Sequence, residues 1–237
     1  MNLNLKQKVI WLTAFSIAMG FLETAVVVYL REIYYPHGFE FPLVPIISTI
    51  AITEVLRELA TLIMLLGIGI LTGKNKAERF VCFLYSFAVW DIFYYIFLKL
   101  LLQWPASLFT WDILFLLPVP WVGPVIAPCI TSLSMIVLFA YVMYYSDKNP
   151  SIKITAVEWK YLILGSIIVI ISFVWDYFKY KINVHETVQG STSLLNELAN
   201  YIPQSFNWPL FWFGQCIILF TIYKLQFRLK HESSLIA

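Results

Sequence analysis

The sequence predicts an all-α fold, a polytopic membrane bundle of six transmembrane helices in one integral membrane domain, residues 1–237. Three observations predict it. Sixty per cent of the residues are hydrophobic and only 13% are charged, against about 25% charged in ordinary soluble domains, and the mean hydropathy is +0.78. The apolar residues gather into six runs, each suited to a hydrocarbon core of about 30 Å. Many of the 19 Phe, 14 Tyr and 9 Trp residues fall near the ends of those runs, where amphipathic rings favour the headgroup level.

The first span, residues 9–30, follows Lys6 and Lys8. No small-residue cleavage site closes it and more spans follow, so it is expected to be retained and not removed as a signal peptide. The loop Arg31 to Pro42 carries Tyr34-Tyr35-Pro36-His37-Gly38, whose Pro and Gly mark a turn. The second span is expected at 43–71 and, after the basic turn Gly73 to Arg79, the third at 80–102, stopped by Trp104-Pro105. Residues 106–124 are mixed. Leu117-Pro118-Val119-Pro120-Trp121-Val122-Gly123-Pro124 cannot be one regular helix, because each proline removes a donor and clashes with the preceding turn. Two readings stay open: an outer loop with a short helix, which Asp112 would cap, or a re-entrant segment, which survives at membrane depth only when buried in protein or lining water.

The last three spans are expected at 125–145, 159–180 and 206–223. The polar turn Ser146 to Glu158 and the polar segment Lys181 to Gln204 separate them, the second with a short helix expected at Ser193 to Tyr201. Positive residues concentrate on the cytoplasmic side. Lys6, Lys8, Lys74, Lys76, Arg79, Lys148, Lys153, Lys224, Arg228 and Lys230 lie at one side of this arrangement, and Arg31, Lys179 and Lys181 at the other. Both termini are therefore expected to be cytoplasmic. Val89-Trp90-Asp91-Ile92-Phe93-Tyr94-Tyr95 echoes Val174-Trp175-Asp176-Tyr177-Phe178-Lys179-Tyr180, and each is followed later by a Trp-Pro pair. The echo is either a parallel repeat of the kind transporters use or chance.

The functional signal is the set of charges inside the runs. Glu54, Arg57 and Glu58 are spaced i, i+3 and i+4 and share one helix face. A charge at the bilayer centre costs about 2.5–3.5 kcal/mol even on the permissive insertion scale. Arg57 cannot lose its proton and its planar fork suits a carboxylate, so one of the two acids is expected to be committed to it and the other left over. Glu23, Asp91 and Asp176 add acids in other spans, so five acids face one central arginine. Lys99 and Lys179 lie near span ends, where long stems snorkel to the interface. Protonation, a bound cation or access to water resolves such an excess. Tyr94 and Tyr95 share a face with Asp91, and Tyr180 with Asp176, giving a track in which phenols donate to carboxylates. Gly20, one turn before Glu23, would let a neighbouring helix approach. The candidate ligand-binding residues are thus Glu23, Glu54, Arg57, Glu58, Asp91, Tyr94 and Asp176. The bland alternative is that Glu54, Arg57 and Glu58 form an interhelical clamp.

Other chemistries have no support. Cys82, Cys129 and Cys216 are far apart and read as small core residues. His37, His185 and His231 are isolated; the first two could join an acidic metal site only from loops, so no metal set is read. H-E-x-x-H, G-x-S-x-G, P-loop and G-x-G-x-x-G patterns are absent, as is the G-x-G-D of intramembrane aspartyl proteases, and no basic face suggests nucleic acid. The segments from Gly20 to Arg31, from Val89 to Tyr95 and Pro120-Trp121-Val122-Gly123-Pro124-Val125 resemble a family of bacterial multi-pass inner-membrane proteins to which no activity is assigned. The resemblance covers the first half of the chain best. It implies a six-helix protein of a bacterial plasma membrane and brings no cofactor or site. The leading expectation is a protein that binds or translocates a cation, a proton or a small polar solute in an acidic core open to the outer side. The alternatives are an intramembrane enzyme acting on a lipid or isoprenoid, with an acid as general base and Arg57 holding a phosphate, and a structural subunit. The expected partners are the lipid bilayer, such a ligand and, for a homo-oligomer, a second copy of the chain; the cofactor is unknown.

Overall fold

The computed structural model describes residues 4–149, 152–187 and 199–234, without the side chains of 184–187 and 233–234. Six helices are long and apolar enough to cross a membrane: α1 (Leu5–Tyr34), α2 (Ser48–Thr72), α3 (Lys76–Leu102), α4 (Ile126–Lys148), α5 (Ala156–Thr187) and α6 (Trp208–Ser234). Between α3 and α4 lies an antiparallel hairpin, β1 (Trp111–Phe115) and β2 (Trp121–Pro124). The expected helix at 193–201 lies outside the described residues, apart from a turn at 199–200.

Most helices outrun the apolar segments that mark them, because caps and charged residues carry the helix past the lipid-facing part. Asn4 and Gln7 form a reciprocal capping box at the start of α1. The side chain of Asn75 accepts from the Glu78 N–H at 2.9 Å and starts α3 four residues before its apolar run. Gln103, in the left-handed region at φ 56°, ends α3, and the Lys99 ammonium donates to the carbonyls of Gln103 and Pro105 at 3.1 and 3.0 Å. α2 is the exception. It starts at Ser48 and not at 43, since Pro45 disfavours helical backbone at the residue before it.

α3 is the central helix: α1, α2 and α4 all pack on it, while α5 and α6 form a tight pair joined to the rest through α4, which packs on α6, and β2, which packs on α5. The tight crossings use glycine. A Cβ at Gly20 would lie 3.0 Å from the Trp90 carbonyl and 3.3 Å from the Tyr94 nitrogen, so α1 meets α3 almost backbone to backbone there. Gly165 and Gly214 do the same for α5 and α6, each facing the other's carbonyl. These are the small-residue contacts on which membrane helices rely, where hydrophobic burial offers little drive.

α2 is built inside out. Its buried residues are Ala51, Glu54, Glu58, Thr61, Leu65 and Gly69, a stripe at spacings of three and four. Ile52, Leu56, Leu59, Ile63, Leu66 and Ile70 are exposed. An apolar outside and a polar inside is the arrangement lipid imposes.

The hairpin corrects the expectation of a loop with a short helix. Trp111 faces Pro124, Asp112 faces Gly123, Ile113 faces Val122 and Phe115 faces Trp121, with an irregularity between Ile113 and Phe115. Pro118 and Pro120 fall in the turn, where no ladder donor is needed. The hairpin dips into the bundle: Phe115 reaches the middle of α3, with its ring 6.0 Å from both Phe87 and Trp90, and packs in the cluster of Met19 and Leu65. Trp121 stacks on Phe173 of α5 at 6.4 Å. Non-helical backbone at mid-height is tolerated because it is sheathed in protein and its polar groups pair.

Candidate functional site

α1, α2, α3 and β1 enclose a cavity of about 410 Å³ that opens toward the hairpin end. Glu23, Glu54, Arg57, Glu58, Asp91 and Tyr94, separated by up to 71 positions in the chain, all line it. Asp176 does not. It holds the segment before α6: the Tyr201 hydroxyl donates to its Oδ2 at 2.8 Å, and the Gln204 and Ser205 N–H groups donate at 2.9 and 3.1 Å. The two aspartates of the sequence echo therefore sit in unlike places. Trp104-Pro105 lies in irregular chain after α3 while Trp208-Pro209 opens α6, so the two motifs are not structural equivalents either.

Arg57 is the hub of the cavity. Its Nε and Nη2 donate to Glu54 Oε2 at 2.9 and 2.7 Å, one turn away on α2. Its Nη1 pairs with Glu23 of α1, whose other oxygen accepts from the Thr61 hydroxyl at 3.4 Å. The acid left over from the α2 triad is Glu58, and it turns to the hairpin: both its oxygens accept from the Leu116 N–H, at 3.1 and 2.9 Å. The α2 acid therefore satisfies the backbone of the turn that hangs beside it. Asp91 accepts from the Ser132 hydroxyl of α4 at 2.8 Å.

Two lining groups lay outside the sequence expectations. The sequence places Arg31 at the start of a loop, but α1 continues to Tyr34 and carries it inside, 7% exposed. There its guanidinium lies 3.8 Å from the centre of the Trp104 ring and 4.4 Å from that of Phe39, and its Nη2 pairs with Asp112 Oδ1 at 3.5 Å. Stacking on aromatic faces suits a weakly hydrated planar cation. Asp112 is not a helix cap: it is a β1 residue that also accepts from the Tyr95 hydroxyl at 3.3 Å. Burial pushes its carboxyl up to about 6, against the pull of Arg31, the Ile113 N–H and Tyr95. The signals available were the charge of Arg31 beside an apolar run and the alternation around Asp112, both too short to exclude a loop.

The charge inventory is unequal. Five carboxylates, Glu23, Glu54, Glu58, Asp91 and Asp112, and two guanidiniums, Arg31 and Arg57, line the cavity. Among the described residues no three His, Cys, Asp or Glu side chains converge as a metal ion would require. His37 is exposed in the loop after α1, and the His185 side chain lies outside the described residues.

A second cavity, also of about 410 Å³, runs between α3, α4, α5 and α6. Its wall is apolar and aromatic apart from a few hydroxyls and a single charged side chain, Asp91. Asp91 and Leu114 belong to both cavities.

Fold and cavities together define a multi-pass α-helical membrane protein with a charged interior. Comparison with protein-family models, with curated proteins and with solved structures returned no match to this chain.

Proposed function

We propose that this protein binds or translocates a cation, a proton or a small polar solute through the polar cavity, in the plasma membrane of a bacterium, with both termini cytoplasmic and the hairpin end outward. The observation that carries this reading is the charge imbalance: five carboxylates share a cavity with two guanidiniums. Inside a low-dielectric bundle, like charges at one site cannot all stay ionised without a counter-charge. A protonated or cationic guest supplies it. The cavity volume falls within the range of about 300–1,000 Å³ typical of small-molecule sites. Asp91 is the assigned acceptor, since it stands at the inner end of the cavity and its one hydroxyl partner, Ser132, brings no charge. Arg57, held by two acids, positions Glu23 and Glu54.

The test is uptake of protons and of methylammonium into proteoliposomes carrying the purified chain. The parent chain is expected to admit at least one of them, and Asp91→Asn to abolish that uptake while inserting and folding normally. An inert parent, or an Asp91→Asn chain as fast as the parent, overturns the proposal.

A further inference from the structure

The two cavities share part of their walls. On α3 the apolar one extends from Phe80 to Asp91 and the polar one from Trp90 to Tyr95, so together they follow the helix from near its start to past its middle. Asp91 and Leu114 are the seam. A bare ion gains nothing from the apolar half, whose aromatic and aliphatic wall offers hydroxyls and no second charge. A purely apolar molecule gains nothing from the carboxylates.

The cavity walls also have donors to spare. Trp90 lines the polar cavity and is 5% exposed, yet its indole N–H has no acceptor, and neither does that of Trp121, which lines the apolar cavity. Both rings pack on Phe115 at the hairpin tip, at 6.0 and 5.6 Å. Arg31, a polar-cavity residue, has an unpartnered Nη1 as well. Unsatisfied donors in the walls of two cavities that share a buried carboxylate call for a guest carrying both a cation and an acceptor oxygen.

We infer that the ligand is an amphiphile: a head bearing a protonated amine and an acceptor oxygen is held at Asp91 in the polar cavity, and one apolar chain lies in the cavity between α3, α4, α5 and α6. This rests on the reading of the polar cavity as a cation site and names the class of its guest. With Asp91 in the wall of both cavities, the head lies toward the hairpin end and the chain toward the termini.

The experiment measures thermal shift of the purified full chain in non-ionic detergent with methylamine, hexylamine and dodecylamine, and with the alcohols of the same chain lengths. Affinity is expected to rise with amine length, by up to about fourfold for each methylene that enters the cavity, and each amine is expected to bind at least tenfold tighter than its alcohol. Ser166→Phe, or Thr131→Phe where that chain does not fold, narrows the apolar cavity and should bring dodecylamine close to methylamine; the micelle is common to parent and variant and cancels. Binding of methylamine with no dependence on length, or with a length dependence that both variants keep, overturns the amphiphile while leaving the cation site standing. Absence of binding by every amine overturns the inference, and proton uptake in the proteoliposome assay then shows whether the polar-cavity reading falls with it.

Discussion

Two charged regions of the bundle use the same residue types to opposite ends. At the end that holds the termini, Glu78 is saturated: it accepts from Lys8 Nζ at 3.2 Å, the Ser146 hydroxyl at 2.7 Å and the Lys74 N–H at 3.0 Å. Nearby, Glu158 takes Arg228 through Nε and Nη2 at 2.9 and 2.8 Å and the Thr155 N–H at 2.7 Å. Glu78 has its own cation, Glu158 shares Arg228 only with the partly exposed Glu232, and each buried acid has a set of short donors, so neither lacks a counter-charge. At the hairpin end five carboxylates surround two guanidiniums and indole donors go unanswered. The difference teaches that a buried acid is not by itself a functional sign. What separates clamp from site is whether the structure has already supplied the counter-charge.

The comparison can be broken at either end. Glu78→Ala leaves the buried Lys8 ammonium without its carboxylate and should cost about 3–5 kcal/mol of stability, read as thermal unfolding in detergent; a loss below about 1 kcal/mol would show that this end is not a clamp. Gly20→Ala forces a methyl against the Trp90 carbonyl and should cost about 1–3 kcal/mol. Gly67→Ala, where a Cβ meets nothing, should be neutral or gain up to about 1 kcal/mol, and equal losses at both would remove the close α1–α3 crossing from the account.

A smaller effect sharpens the hairpin end. The Asp112 carboxyl, raised by burial to about 6 from an ordinary value near 3.8, binds its proton more tightly folded than unfolded. Stability should therefore fall as pH rises from about 4 to about 6 and level off above that. Arg31, Tyr95 and Asp91 face this carboxyl. Asp112→Asn should remove the slope contributed in that window, and an unchanged melting profile between pH 4 and 7 would contradict the buried placement of Asp112.

The smallest effects close the series. Glu232→Gln loses a partly exposed pair one turn from Arg228 and should cost about 0.3–0.5 kcal/mol, since Glu158 keeps the guanidinium. Asp91→Asn keeps an oxygen for Ser132 and should leave stability within about 1 kcal/mol of the parent or raise it, as expected where an acid is retained for a ligand. A loss as large as that of Glu78→Ala would make Asp91 a clamp and erase the contrast between the two ends.

The six spans, the face shared by Glu54, Arg57 and Glu58, and the close approach at Gly20 were all legible in the amino-acid order, because each depends on local periodicity and on what lipid tolerates. Hydropathy settles that a run is a span whatever its neighbours are. The same logic makes the polar stripe of α2 point inward with no knowledge of what it meets. Only the tertiary structure decided which acids share a cation. Arg57 reaches Glu23 on another helix, Glu58 answers a backbone donor 58 positions away, and Arg31 enters the core because Asp112, Trp104 and Phe39 converge on it. The hairpin was equally illegible: a strand is made by its partner, and nothing local to Trp111–Phe115 says that Trp121–Pro124 will pair with it inside a ring of helices. Composition and period determine what must hide from lipid, while pairing between distant segments determines what it hides against.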